Sequence, residues 1–312
     1  MPAAITTLFE EEYHYGVAAL ANSLVANGFE GTFWAGYRGE VPPWARGQTL
    51  ERGQTRVILS PKAEMRLIPL HTSLHFAHYK PWFMISVLEE LDPKAEAVFY
   101  FDPDITVPTR WSYYEEWIDY GVAMVEDNHY HVGPDHPLRH AWKAFVQEKN
   151  LVVRRDLSRF VNSGFLGLKR DYRSFLHLWA ELITSVEPES GSLNAWRSLD
   201  RTHRFWSANQ DTLNVAAMIT EHPVAIYGPN GMDFVPSPGR PMMSHSVDKP
   251  KPWQRQYLLD FMRGKPPSRP DRWFWEYASG PLAMFPKGHV KRQQVSVRVA
   301  AFLARFYHRP YP

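Results

Sequence analysis

The sequence predicts an α/β protein: a central sheet flanked by helices, with a loop-rich extension at its C-terminal end. Three observations predict it. Short β-branched and aromatic runs alternate with stretches of helical apolar period, one such run stops abruptly at paired acids, and proline and glycine crowd the chain after about Pro223.

Ala3 to Phe9 is a strand-like run closed by the acidic turn Glu10-Glu11-Glu12. From His14 the period changes: Val17, Leu20, Ala21, Leu24 and Val25 fall on one helical face, and Gly28 supplies the stop. Thr32 to Ala35 is a second strand, completing the strand–helix–strand opening of an α/β sheet. Tyr79 to Leu91 has helical spacing (Trp82, Ile85, Leu88), Ala97 to Phe101 is the next strand, and Gly121 to Val125 is another that ends at Glu126-Asp127. Phe160 to Leu168 reads as a strand interrupted by a small-residue bend. Phe175, Leu178, Trp179, Leu182 and Ile183 return to helical spacing, and Gln210 to Ile219 begins a further helix. No repeat of solenoid period is present. Beyond Pro223 loops are expected to dominate and to wrap the same domain. From Lys291 a last helix places Val295, Val299, Phe302 and Phe306 on one face, with Arg298, Arg305 and Arg309 along its flank.

Composition narrows the function classes. The 312 residues, 44% hydrophobic and 22% charged, suit a soluble globular chain able to bury a core. A formal net charge of +2 implies no general attraction to nucleic acid. The absence of cysteine excludes disulfides, thiolate zinc sites and thiol nucleophiles, and suits a reducing compartment. The N-terminal residues lack a signal-peptide pattern, and no apolar run approaches the roughly 18–20 residues of a membrane span, so a cytoplasmic location is expected.

The chemistry concentrates in four stretches. In VFYFDPDITV (98–107) an apolar run meets Asp102 and Asp104 across one proline. A strand running into two carboxylates puts them at the carboxyl edge of a sheet, where they could hold Mg²⁺ or Mn²⁺ beside phosphate oxygens; a turn with locally bonded aspartates fits the spacing equally well. Asn162-Ser163-Gly164 brings polar and small residues into an apolar run, as a closely approaching ligand requires. Asn209-Gln210-Asp211 precedes a helical pattern and alone reads as a helix cap. In HSVDKPKPW (245–253), His245 could complete a metal shell, and Lys251 could offset diphosphate charge.

Together FYFDPD, FVNSGFLGL, NQDTLN and HSVDKPKPW resemble, in that order, the GT-A-fold glycosyltransferases of the retaining family 8 type. The last matches the family's His-x5-Lys-Pro-Trp pattern. Weaker echoes lie in the opening segment and in HYKPWFMISVLEE, so the likeness covers about residues 3 to 255. It implies a mixed Rossmann-like sheet, a catalytic domain over 1–255, and an extension with a basic amphipathic helix over 256–312. It further implies Asp102, Asp104 and His245 as ligands of Mn²⁺ or Mg²⁺, and Lys251 on the diphosphate. Asn162, with Ser163 and Gly164, would contact the transferred sugar, and Gln210 and Asp211 would lie near its anomeric carbon. Thr7, Tyr13 and Lys80 would belong to the donor side, with Tyr13 stacking on the base, expected to be uracil. One departure stands out: Asn209 replaces the family's usual aspartate, keeping its shape but losing its charge.

The resemblance implies a hexosyltransferase-like enzyme of glycan or glycolipid biosynthesis that moves a sugar from a nucleotide-sugar donor to a hydroxyl of a saccharide or lipid-linked acceptor. The expected route is attack on the face from which the diphosphate departs, with Asp127 and Asp211 kept as alternative nucleophiles. The loop Glu126 to Gly133 could bind acceptor, cover the donor, hold a second metal through His129 and His131, or do nothing special. The basic C-terminal helix could dock on an anionic membrane or simply pack on the domain. A nucleotidyltransferase of similar fold is the nearest rival, but it would be expected to carry a glycine-rich basic loop where this chain reads EEEYHYG. A non-catalytic carbohydrate-binding protein is the other.

Overall fold

The computed structural model describes residues 1–45, 48–49, 53–128, 132–191, 193–235 and 238–306. The chain opens with β1 (Ala3–Glu10), α1 (His14–Ala26) and β2 (Gly31–Arg38), followed by β3 (Gln48–Thr49), β4 (Thr55–Ser60) and β5 (Ala63–Pro69). Next come α2 (Phe76–Ser86), extended by a wider turn over Val87–Leu91, β6 (Ala97–Phe101), β7 (Ile105–Thr106), α3 (Ser112–Trp117) and β8 (Val122–Glu126). After these follow α4 (Pro137–Glu148), β9 (Val161–Lys169), α5 (Ser174–Ser190), α6 (Ala208–Ile219) and β10 (Val224–Tyr227). The chain then forms β11 (Ser244–His245), α7 (Tyr257–Met262), α8 (Arg269–Tyr277) and α9 (Lys287–Leu303).

Among the described residues, nine strands form one sheet in the order β10-β8-β9-β6-β1-β2-β5-β4-β3. The expected mixed sheet is present: pairings within β6-β1-β2-β5 and between β10 and β8 are parallel, whereas β9 runs antiparallel between β8 and β6. Period-two alternation lets β6 feed two cores. Val98 and Tyr100 face α2, α5 and α6, while Phe99 and Phe101 face α1 and the Trp111–Tyr114 rings. Helix α1 is buried on more than its predicted face, because Val17 and Leu20 meet the sheet while Ala19 meets the C-terminal helices.

Several expectations are corrected. Strand β9 is unbroken; the small residues allow close approach, and the irregularity lies in its pairing with β8, where the register shifts between Ala123 and Val125. Asn209 does not cap α6, which starts one residue earlier; the turn is closed instead by the Asp211 carboxylate, which accepts from Ser207 N at 2.8 Å. Loops dominate after Pro223 only as far as about Gln256, where three helices, α7 to α9, begin. Tyr257, Phe274, Trp275, Val290 and Val297 form a third core, and Asn22 of α1 ties it down by donating to the Tyr277 and Leu282 carbonyls, both at 3.0 Å. Helix α9 packs through Val290, Val297 and Ala300, which leaves the predicted face of Val295, Val299, Phe302 and Phe306 exposed. Arg309 and the histidines at 129 and 131 lie outside the described residues.

Candidate active site at the carboxyl edge of the sheet

Strands β1, β6 and β8 end on the same edge of the sheet, and antiparallel β9 begins there, so Tyr13, Asp102, Asp127 and Asn162 are delivered to one place by topology. A two-stranded sheet adds the remote residue. Strand β7, just after Asp104, pairs with β11, setting His245 opposite Ile105.

The result is a charged cluster. One donor atom each of Asp102, Asp104 and His245 lies within 4.8 Å of the others. His245 Nε2 is 3.2 Å from Asp104 Oδ1 and 3.9 Å from Asp102 Oδ2. Lys80 Nζ sits 2.7 Å from Asp102 Oδ1 and donates to the Ser163 carbonyl at 2.9 Å, with the Tyr100 ring beneath it. Tyr100 also donates its hydroxyl to Asp102 Oδ1 at 2.9 Å. Lys251 Nζ is 2.7 Å from Asp104 Oδ2 and also donates to the Val247 carbonyl at 3.2 Å. Burial alone would push the Asp104 carboxyl up, but the neighbouring His245 and Lys251 outweigh it and hold that carboxyl well below its usual range. Tyr13 lies at the rim, with Lys251 Nζ 5.7 Å from its ring centre. Burial, and then Asp104 and Asp102, push its phenol up to about 12.

A second cluster adjoins the first and is built of amides. Asp127 Oδ2 accepts from Asn162 Nδ2 at 2.7 Å and from Gln210 Nε2 at 3.1 Å. Gln210 Oε1 accepts from Ser163 N at 3.2 Å, and Asn209 donates to Ser163 Oγ at 2.8 Å. Gly164 joins the clusters. A Cβ there would stand 2.7 Å from His245 Cε1 and 2.9 Å from Asp102 Oδ2, so only glycine lets β9 pass this close.

The donor set of two carboxylate oxygens and one imidazole nitrogen fits a divalent cation that takes its other ligands from phosphate or water. Neither any protein-family model nor any curated protein sequence matches the chain. Solved structures do. The glycosyltransferase GlyE of Streptococcus pneumoniae TIGR4 superposes with a TM-score of 0.55 at 13% identity, over 96% of this chain and 64% of that one. The bifunctional glycosyltransferase WbbM gives 0.48 at 14% identity, over 94% and 52%. The fold is similar to that of the glycosyltransferase GlyE. The chain spans less than two thirds of the length of either protein.

Most residues singled out in the sequence come together here, with two qualifications. The Thr7 hydroxyl is fully buried and donates to the Phe101 carbonyl at 2.8 Å, joining β1 to β6. Asp211 sits one residue beyond Gln210, but its carboxylate is spent on Ser207 N and buried, which pushes its pKa up to about 7. Residues not anticipated include Tyr100, legible as sharing a strand face with Asp102 two positions on. Gly16 is another: a Cβ there would lie 2.1 Å from the Pro103 carbonyl oxygen, so α1 rests directly on the Asp-Pro-Asp turn. Nothing in the local sequence announces that contact.

Proposed function

We propose that the protein is a metal-dependent glycosyltransferase that moves a sugar from a nucleoside-diphosphate donor, expected to be a UDP-sugar, to a hydroxyl acceptor with retention. The supporting observation is the convergence of Asp102, Asp104 and His245 at the carboxyl edge of the sheet. Residues 1–255 act as the catalytic domain in this reading, and 256–312 as an extension whose helix α8 is braced on α1. Asp102, Asp104 and His245 would hold a divalent ion, which when bound would neutralise charge on the departing diphosphate. Lys251, already beside Asp104, adds a positive charge to the same region. The amides of Asn162 and Gln210, locked by Asp127, orient the sugar. The acceptor oxygen forms its bond to the anomeric carbon as the bond to the diphosphate breaks, and the acceptor's proton passes to a diphosphate oxygen. Asp127 and Asp211 each have one carboxylate oxygen, Oδ2, committed to hydrogen bonds, which favours this route over a covalent glycosyl intermediate. UDP should raise the melting temperature with Mn²⁺ present and not in excess EDTA. Equal stabilisation in both conditions would overturn the metal-dependent reading, and no stabilisation in either would favour a non-catalytic protein.

The same reading extends to a membrane partner. Helix α9 and the turn after it carry Lys287, Lys291, Arg292, Arg298 and Arg305 and no acid. Phe302 is 56% and Phe306 73% exposed, and Met262 of the neighbouring α7 is also exposed. Apolar side chains fringed by cations complement an anionic lipid surface. Vesicles containing phosphatidylglycerol should sediment the protein, and vesicles of phosphatidylcholine alone should not. Undiminished binding by a Phe302→Ser, Phe306→Ser variant would remove this surface from consideration.

A further inference from the structure

A cavity of about 460 Å³ has Gln210 and Asp211 in its wall. Its size is that of a small-molecule site. Val132, Leu138 and Phe160 form an apolar side, and Arg197, Arg201 and Arg204 supply cations. The three arginines differ. Arg204 is fixed by Glu148 and Glu189, with contacts of 2.8 and 3.0 Å. Arg201 is exposed. Arg197 lies between two indoles, its guanidinium carbon 3.9 Å from the Trp196 ring centre and 4.1 Å from that of Trp206.

That sandwich has a chemical consequence. Stacked rings cover the faces of a guanidinium and leave its N–H donors in the plane between them. Among the described residues, no acceptor meets those donors: Arg197 makes no hydrogen bond, and its Nε is buried without a partner. Buried donors are normally satisfied, so the buried, unpaired Nε of a half-buried guanidinium held in place by two rings is set for an acceptor from outside the chain. The carboxylate in the cavity wall, Asp211, is itself bonded to Ser207 N. Arg204 is spent on two glutamates, whereas Arg197 has no hydrogen-bonded acid and feels Asp211 only through space.

We infer that this cavity is the acceptor subsite and that the acceptor is a saccharide bearing an oxyanion, a carboxylate or a phosphate, gripped by the in-plane donors of Arg197. This rests on the glycosyltransferase reading for the word acceptor, and on the Arg197 geometry for the anion. The apolar wall would face the C–H surface of the sugar ring, and Gln210 would link the subsite to the amide cluster.

Calorimetric titration of the full chain with glucuronate, glucose 6-phosphate, glucose and inorganic phosphate tests it. Glucuronate or glucose 6-phosphate is expected to bind at least about tenfold more tightly than glucose and than inorganic phosphate. Which of the two prefers the site separates carboxylate from phosphate recognition. Arg197→Gln should abolish that margin, and Arg197→Lys, which keeps charge without the planar fork, should recover little of it. Both variants should bind UDP with Mn²⁺ as the parent does. Equal affinity for glucose and its anionic relatives would overturn the proposal, and so would inorganic phosphate binding as tightly as the sugar phosphate. The ligand ranking needs no variant, so a misfolded Arg197→Gln would not shield it. Failure of UDP and Mn²⁺ to bind would remove the enzymatic reading while leaving the anion site to stand or fall on its own titration.

Discussion

Two polar clusters meet at the sheet edge and are built on opposite principles. Around Asp102 and Asp104 the partners are charged or chargeable: Lys80, His245 and Lys251, each facing a different carboxylate oxygen. Around Asp127 the partners are neutral amides tied to one another through Asn162, Ser163, Asn209 and Gln210. Buried ion pairs repay their desolvation only when each charge keeps a counter-charge, so the first cluster can exchange one cation for another with little change of net balance. The second has no comparable freedom, because moving one amide unmakes several hydrogen bonds at once. The first is suited to charge development, the second to orientation.

The sharpest way to break this contrast is Asp104→Asn, which keeps shape and removes the charge. Donor turnover with Mn²⁺ should fall by at least about 10³-fold, as for loss of a principal electrostatic stabiliser. UDP should no longer gain affinity from Mn²⁺. Turnover within tenfold of the parent would place the reacting diphosphate elsewhere. Gln210→Ala probes the other cluster and should cost less. A kcat loss of about 10- to 100-fold is expected from misplacement of the sugar, with the Kd for UDP and Mn²⁺ unchanged. A weakened Kd with unaltered kcat would reverse the roles assigned to the two clusters.

The charged cluster was largely legible in the sequence because its residues are chemically conspicuous: two acids ending an apolar strand, and a histidine and lysine six positions apart among prolines. The pairing of β7 with β11, which brings them together, was not, since each strand is two residues long and carries no period. The amide cluster was half visible. Gln210 was expected near the reacting carbon, but Asn209 was read as a helix cap because a local bond is the commoner fate of that side chain; here its amide reaches Ser163 instead. The hairpin β4–β5 is poorly legible although Val57, Leu59, Met65 and Leu67 alternate inward, because Arg56, Glu64 and Arg66 face outward as a charged ladder and Pro61-Lys62 reads as loop. Helix α4, with Arg139 fully buried and donating to the Arg159 carbonyl at 2.6 Å, breaks the rule that charge marks the surface. Arg197 was invisible because its meaning comes from two indoles, and one of them lies nine residues further along the chain.

The smallest expected effect concerns Asp211, which lies between the amide cluster and the cavity. Burial raises its pKa from the usual carboxylate value to about 7, because the ionised form is poorly solvated and Ser207 N, Arg197 and Arg139 only partly offset this. A folded-state pKa above the unfolded one means the native protein binds the proton more tightly. That contribution to stability is complete below about pH 4 and is lost progressively as pH rises toward about 7, above which the difference is constant. Asp211→Asn does not titrate. Its melting temperature relative to the parent should therefore climb by a few degrees between about pH 4.5 and pH 7.5 and then level off, whatever constant offset the new amide introduces. A flat difference over that window would mean that Asp211 is ionised at neutral pH with full compensation, and the wall of the cavity would then carry a fixed negative charge opposing an anionic acceptor.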